Sequence, residues 1–529
     1  MFEIAVYWRP PPTRSIRQPG ALSQVNVQAL EGSTAMSDDM EARLQALDPG
    51  ILAALLSKRA GSDADFCLWL GAQLAALSLR PLDPEVFRQR VQALLEPACR
   101  QREDPGCEID EAALEELIGM ADPFLQQGDG GNALAILMPV AAGLAGIWPQ
   151  WSQWDETLHE FFPLLDGKIA QAVLMNGVSD ESRDDFAVEL SHWQVVIARY
   201  GIDDVFVTAI TSAAQGWDEP GLADVMAGRG LLWPLTKTRD WPDAARLTAA
   251  RLASLEAMGR MSEFLNLSKA SGRFCDHAVM LAKQGLFKEA LDVARREFHE
   301  AASVLCLAKT LVGMGQQEAA FGLADWGLSL RTSEAAGSKA VQTHSGQELA
   351  YWLREQAHRA VRPQLAVMAA RSAFLGHLSR DNYRAAQDVC PASAWPALRE
   401  ALLAELIDAD YAFDRIAILL DEDRIDDAMA VVDRGGCHHS PHDIALMQLT
   451  LIAATRQPAW AIRFAWTMAG PIIEDGRSSR YETAVQWLKI IISAHKTAGS
   501  TAAWRVCLES LIERHRRKHK LRAMLEALR

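Results

Sequence analysis

Apolar residues, mostly Ala and Leu, recur from residue 38 onward at the three- and four-residue spacing of one helix face. No segment rich in Val, Ile and Thr alternates between apolar and polar positions, as a half-buried β-strand would. Prolines, which interrupt helices, are absent between Pro242 and Pro363, and single glycines punctuate that stretch. The pattern predicts an all-α protein of helices joined by short turns.

A repeated turn motif indicates how these helices are arranged. In the segment 281–291, a helix is expected to end at Gly285 with positive φ, and a small residue, Ala290, follows five positions later in the next helix. The motif recurs at residues 124–134, 255–265 (with Phe264 replacing the small residue), 311–321 and 419–429 (with Asp423 replacing glycine). Because one helix pair cannot bury its own apolar face, we predict a tetratricopeptide-like α-solenoid of stacked antiparallel helix pairs rather than a globular bundle.

The chain divides into three parts by composition. Residues 1–37 hold a cluster of prolines and no apolar period, so we predict a disordered N-terminal tail, with Met36 an alternative translation start to Met1. An N-terminal helical region is expected over 38–240. Helical repeats are expected over 241–529, ending in a basic terminal helix.

Composition narrows the class of protein and its compartment. The 53 Lys and Arg against 68 Asp and Glu give a net charge of −15, which disfavours nonspecific binding to nucleic-acid phosphates. The longest wholly apolar run, Ala133–Trp148, is shorter than a membrane span and contains Pro139, so we expect a buried helix with a break and no membrane partner. The N-terminus lacks a signal peptide and the eight cysteines are irregularly spaced, which predicts reduced thiols and a cytoplasmic protein.

Two C-terminal segments carry a family resemblance. The first is the Arg480-Tyr481 helix, and the second is Trp504 to Leu508 followed by the His-Arg-Arg-Lys run at 515–518. Together they resemble the end of bacterial SWIM zinc-finger proteins, which runs as an R-Y-x-x-A helix, a W-x-x-Y/C-L helix and an H-R-R-K closing helix. Residues 109–147 resemble the first helical-repeat region of that family. The finger C-x-C-x(n)-C-x-H is absent, so the resemblance implies the helical body without zinc, either a standalone relative or the downstream part of a broken reading frame.

No motif of known chemistry is complete in the sequence. The segment Cys437-His438-His439-Ser440-Pro441-His442 is rich in metal ligands, but adjacent residues point in different directions and no second ligand cluster follows. We interpret it as a turn before a helix, with Ser440 as N-cap and Pro441 at the first helical position. The glycine-rich segment 128–131 lacks the lysine of a phosphate-binding loop, and we interpret it as an interhelical turn. The sequence therefore predicts no metal, no cofactor and no catalytic residues.

The sixteen tryptophans allow two interpretations. Trp148, Trp151 and Trp154 are spaced as on one side of a helix, and Trp193, Trp217, Trp233 and Trp241 follow. Such residues either line a ligand groove or fill the core where short helices meet. We favour core packing.

The C-terminal end is the most basic part of the chain. Residues 511–529 hold seven Lys or Arg against two Glu. The candidate interaction residues are Arg514, Arg516, Arg517, Lys518 and Lys520. They would contact an acidic partner or nucleic acid, or else they would stabilise a helix C-terminus and cover an acidic neighbour.

These observations predict a non-enzymatic cytoplasmic helical-repeat scaffold that binds a protein or peptide partner. The alternative is a nucleic-acid-associated accessory protein related to SWIM zinc-finger proteins, which the family resemblance and the basic end favour and the net charge opposes. An enzyme whose site is assembled from scattered positions is a third possibility.

Overall fold

The computed structural model describes residue 44 and the ranges 46–78, 80–100, 110–151, 157–175, 179–233, 242–330, 339–409, 414–435, 440 and 443–529. The tail predicted at residues 1–37 and the residues Cys437, His438, His439, Pro441 and His442 lie outside this description. Within these ranges the chain is helical and forms no β-strand. Its contacts define two compact units, one made of the residues up to Asp224 with 234–260, the other of Val225–Trp233 with Met261–Arg529.

The helices of the first unit follow one another closely along the chain. They are α1 (Pro49–Ser62), α2 (Ala64–Ser78), α3 (Pro84–Arg100), α4 (Glu111–Gly119), α5 (Asp122–Gln127), α6 (Gly130–Trp151), α7 (Phe161–Val173), α8 (Asp180–Ala198), α9 (Val207–Gln215), α10 (Leu222–Met226) and α11 (Pro242–Ala257), with α10 crossing into the second unit. Side chains mark several of their starts. The Asp48 carboxylate accepts a hydrogen bond from the Gly50 amide, and Pro49 occupies the first position of that helix. The Asp110 carboxylate accepts a hydrogen bond from the Ala113 amide in the same way. Capping of this kind satisfies amides that have no partner inside the helix.

Helix α6 forms the centre of the first unit and packs against α3, α4, α5, α7 and α8. It runs without a break through Pro139, so the predicted break is wrong. The segment Gly130–Pro149 of this helix is long and apolar enough to cross a membrane, so the expectation that the apolar run is too short is wrong. However, 72% of that segment is buried inside the structure, as in the core helix of a folded unit.

Helix α11 explains why the unit boundary differs from the one predicted at residue 240. It packs against α5, α7 and α9 of the first unit. Its Arg251 is buried there and donates hydrogen bonds to Glu219 Oε2 and to the Gly216 carbonyl, at 2.6 and 3.0 Å. These contacts place the helix with the preceding residues rather than with the repeats that follow it.

The second unit contains the remaining helices. They are α12 (Met261–Ala270), α13 (Phe274–Lys283), α14 (Phe287–Glu297), α15 (Ala301–Gly313), α16 (Gln317–Ser329), α17 (Lys339–Arg359), α18 (Pro363–Gly376), α19 (Arg380–Val389), α20 (Trp395–Asp408), α21 (Arg415–Asp421), α22 (Ile425–Asp433), α23 (Ile444–Arg456), α24 (Pro458–Asp475), α25 (Tyr481–Thr497), α26 (Thr501–Arg514) and α27 (His519–Glu526). From α13 onward, most consecutive helices pack against each other, and alternate helices such as α13 and α15 or α23 and α25 also make contact. This pattern is that of stacked antiparallel helix pairs, so the predicted all-α repeat class is confirmed.

The repeat turns share one hydrogen-bonded form. At the end of α13, Gly285 has φ +79°, and the amide of the next residue, Leu286, donates to the Leu281 carbonyl at 2.9 Å. Gly315 and Asp423 occupy the same position in their turns, with φ +75° and +52°. This is the Schellman arrangement that ends helices with a left-handed residue, and the positive φ predicted for Gly285 is confirmed.

Two predicted local features are wrong. Helix α23 begins at Ile444 with Asp443 as its cap, because the Asp443 carboxylate accepts the amides of Ala445 and Leu446; Ser440 is not the cap. The basic end is not one helix either. Helix α26 ends at Arg514 and α27 begins at His519, so the run 515–518, expected in a closing helix, forms the turn between them.

Candidate functional site

The basic C-terminal residues are mostly engaged with their own chain. The Lys518 ammonium donates to the carbonyls of Ile473 and Glu474, at 2.6 and 3.3 Å, in the last turn of α24. Those carbonyls have no partner within the helix, and a cation there complements the helix dipole. Lys520 similarly donates to the Ser478 carbonyl at 3.2 Å. Both lysines therefore cap neighbouring backbone.

Two candidate arginines form ion pairs with nearby glutamates. Arg514 pairs with Glu474 and Arg516 with Glu513, both at 3.1 Å. These pairs are exposed, and exposed pairs contribute little to stability. Arg517 is the candidate without an ion pair or hydrogen bond among the described contacts. The arrangement matches the alternative in which the cations stabilise a helix end and cover an acidic neighbour.

A groove in the second unit lies where α16 and the start of α18 meet. Its volume is about 670 Å³. The side chains that form it include Glu318, Phe321, Asp325, Val361, Arg362, Leu365 and Met368. Phe321 is buried, Leu365 is half-buried, and Met368 is exposed. The groove thus combines an apolar surface with charged residues of both signs.

Val361 is the unusual residue of this groove. It occupies the turn after α17 with φ +55°, the left-handed position that glycine or aspartate holds in the other repeat turns. The hydrogen bonds are the same as in those turns, with the Arg362 amide donating to the Ala357 carbonyl at 2.8 Å. A β-branched residue in this region is a genuine outlier and costs about 1–3 kcal/mol. Its side chain is 82% exposed, so burial within the chain does not offset that cost.

The charges of the groove come from both helices. Glu318 of α16 forms an ion pair with Arg362 at the start of α18. Asp325 lies two turns further along α16 than Glu318, is exposed, and adds a second carboxylate. The groove is therefore suited to an apolar side chain flanked by a positive charge.

Sequence reasoning missed Val361 although the signal was present. Ala366 follows Val361 by five residues and is fully buried, as Ala290 is after Gly285. The turn therefore obeys the repeat motif except at the turn residue itself. Valine is not a turn-forming residue, so the motif was not recognised there.

The other sequence candidates serve packing where the structure describes them. Trp148 and Trp487 are fully buried, Trp148 packing edge-to-face on Phe162 with ring centroids 5.2 Å apart, which agrees with the core interpretation. Trp193 and Trp217 are half-buried and Trp233 is buried, whereas the side chain of Trp151 and residues Trp154 and Trp241 lie outside the described part. Gly130 of the glycine-rich segment is in close contact with α7, since an ideal Cβ there would lie 2.1 Å from the Ala172 carbonyl oxygen.

Among the described residues, no group of three or more His, Cys, Asp or Glu side chains is placed to hold a metal ion. The ligand-rich segment predicted from the sequence is not covered by that statement, because Cys437, His438, His439 and His442 are outside the described ranges.

Comparisons with known proteins do not assign the chain to a family. No protein-family model matches the chain, and no curated protein matches it. Among solved structures, the chain is similar to a "Circular tandem repeat protein with novel repeat topology and enhanced subunit contact surfaces", with 14% identity over 86% of this chain and 95% of that chain and a TM-score of 0.20. At this TM-score the neighbour carries no inference about the fold or the function of this chain.

Proposed function

We propose that this protein is a non-enzymatic helical-repeat scaffold that binds a protein or peptide partner in the groove between α16 and α18. The observation that carries the proposal is Val361, a strained and 82% exposed apolar residue at the rim of that groove. Residues with strained backbone cluster at binding sites, where the bound partner gives the strain a function.

Val361 differs in energy from its counterparts in the other repeat turns. Glycine occupies the equivalent position at Gly285 and Gly315 without strain and without an exposed side chain. Valine in the same turn weakens the free chain and leaves its methyl groups in water. A partner that buries those methyl groups would recover about 1.5–3 kcal/mol, the value of burying one such side chain.

The surroundings of Val361 define the partner. Leu365 and Met368 extend the apolar surface along α18, and one apolar side chain of the partner would lie against them. Arg362 is already paired with Glu318, which leaves the exposed Asp325 carboxylate to attract a basic residue. The net charge of −15 favours association with a basic segment as well. The partner is therefore a peptide segment with an apolar residue next to Lys or Arg.

Selection of short random peptides by display on the full chain tests this function. We expect the selected peptides to share an apolar residue beside Lys or Arg. Their affinity for Met368→Gln should fall about tenfold, because a polar side chain replaces an apolar contact of similar size.

Leu451→Gln provides the matched control, since Leu451 is an exposed apolar residue on α23, outside the groove. The control should bind the selected peptides like the unmodified chain. Peptides that bind Met368→Gln and the unmodified chain equally well would show that the groove is not the binding site.

A further inference from the structure

Two cysteines of consecutive repeats lie next to each other. Cys275 is on α13 and Cys306 on α15, and these two helices pack together. The Cys275 sulfur is 3.8 Å from the Ser303 carbonyl oxygen. Ser303 precedes Cys306 by three residues, so its carbonyl lies beside the Cys306 side chain on one helix face. The Cys275 thiol therefore lies against α15 within one helical turn of Cys306, where α13 and α15 pack together.

The two thiols differ in exposure and in charge environment. Cys306 is exposed to solvent and Cys275 is half-buried. The charged groups nearest to Cys306 are Lys309 on its own helix and Lys283 and Asp276 on α13. Asp276 is itself paired with Arg273 at 2.6 Å. The exposed thiol therefore has two ammonium groups near it.

This environment favours a thiolate at Cys306. The hydrogen bond from the Cys275 thiol lowers the pKa of Cys306 to about 6, and the two lysines act in the same direction against burial and Asp276. The same hydrogen bond, followed by burial, raises the pKa of Cys275. The thiolate is the reactive form of cysteine, so the exposed member of the pair is the nucleophile at neutral pH.

We propose that Cys275 and Cys306 form a dithiol that hydrogen peroxide oxidises to a disulfide linking α13 and α15. The Cys306 thiolate attacks one peroxide oxygen, the O–O bond breaks, and the leaving hydroxide takes up a proton to become water. Cys306 is then a sulfenic acid. The Cys275 sulfur attacks the Cys306 sulfur, the S–O bond breaks, and a second water leaves with the Cys275 proton.

The balance of this sequence is complete with peroxide as the named oxidant. The two thiols lose two electrons and two protons, and one hydrogen peroxide is reduced to two waters. A thiol reductant reverses the change by exchange. The product joins the first helices of two consecutive pairs, and it would restrict local opening of the segment between them.

Peptide mapping of the full chain after treatment with equimolar hydrogen peroxide tests the site. We expect loss of two thiols per chain and a cross-linked peptide joining the segments of Cys275 and Cys306, both restored by dithiothreitol. Amide hydrogen exchange over α13–α15 should slow about tenfold in the oxidised chain.

Two single variants separate the roles of the thiols. Cys275→Ser should accumulate a sulfenic acid at Cys306 that dimedone traps. Cys306→Ser should lose the cross-link. Its thiols should react with peroxide at least tenfold more slowly than those of the unmodified chain, at a rate like that of the exposed Cys67. Cys67→Ser serves as the control and should form the cross-link normally.

Circular dichroism of each variant establishes that it is folded before its reactivity is compared. A folded chain without the Cys275–Cys306 cross-link after peroxide treatment would overturn the proposal. Equal peroxide rates for Cys275→Ser and Cys306→Ser would overturn it as well, since neither thiol would then be the activated one.

Discussion

Glu219→Ala should lower the free energy of unfolding by about 3–5 kcal/mol, because it removes the charged partner of a buried arginine. Arg251 is only 1% exposed, and burial lowers the pKa of its guanidinium while Glu219 opposes that shift. Removing the carboxylate takes away the opposite charge, while the hydrogen bond to the Gly216 carbonyl stays in place. Denaturant unfolding, followed by hydrogen exchange in α7, α9 and α11, measures the loss.

A matched pair on the surface provides the control. Arg380 binds Asp421 through two hydrogen bonds of 2.6 Å, but both side chains are more than one-third exposed. Asp421→Ala should therefore cost about 1 kcal/mol or less. The double change Glu219→Ala with Arg251→Met should recover most of the lost stability, since an apolar side chain then replaces the buried charge. Equal losses for Glu219→Ala and Asp421→Ala would contradict the buried-pair account.

Gly130→Ala should destabilise the first unit by about 1–3 kcal/mol or more, because the added methyl group has no room. Its carbon would lie 2.1 Å from the Ala172 carbonyl oxygen and 3.0 Å from Met175 Cβ. Backbone cannot move aside as a flexible side chain can, so α6 and α7 would separate. The shift in melting temperature measures the effect.

Gly146→Ala, in the same helix, is the control for this substitution. No atom lies within 4 Å of an added Cβ at that position, so the better helix propensity of alanine should stabilise the chain by about 0.5–1 kcal/mol. The two substitutions are chemically identical and should have opposite signs. A stabilising Gly130→Ala would mean that the contact between α6 and α7 is not as close as described.

The sequence predicted the features that depend on neighbouring residues. Helical periodicity, the left-handed Gly285 and the small Ala290 all follow from local rules of helix ending and close packing. The buried Trp148 agrees with its interpretation as core. Such features need no knowledge of where distant segments lie.

Contacts between distant segments could not be predicted. The Arg251–Glu219 pair joins residues 32 positions apart, and Lys518 caps a carbonyl 45 positions upstream. The family resemblance implies a closing helix at 515–518, whereas the hydrogen bonds from Lys518 to the end of α24 hold this run as a turn. Val361 was missed for the opposite reason, since local rules disfavour valine in the very turn that it forms.

The resemblance to SWIM zinc-finger proteins stays a prediction. Helix α25 begins at Tyr481, as that resemblance implies, while the H-R-R-K run lies in a turn rather than in a closing helix. The cytoplasmic location, the disordered N-terminal tail and the absence of zinc are likewise predictions from the sequence.

The central claim is that the chain keeps a strained Val361 in order to bind a partner. Binding of a selected peptide and the melting temperature, measured together on Val361→Gly, test it most directly. The reverse exchange, Gly285→Val, is the control, because it places the same side chain in an equivalent turn outside the groove.

The account predicts opposite responses in the two readouts. Val361→Gly should raise the melting temperature, since about 1–3 kcal/mol of backbone strain is relieved against at most about 1 kcal/mol of added chain entropy, while peptide affinity falls about tenfold. Gly285→Val should lower the melting temperature and leave affinity unchanged. If Val361→Gly instead bound the peptide as tightly as the unmodified chain, Val361 would have no role in binding and the groove would not be the partner site.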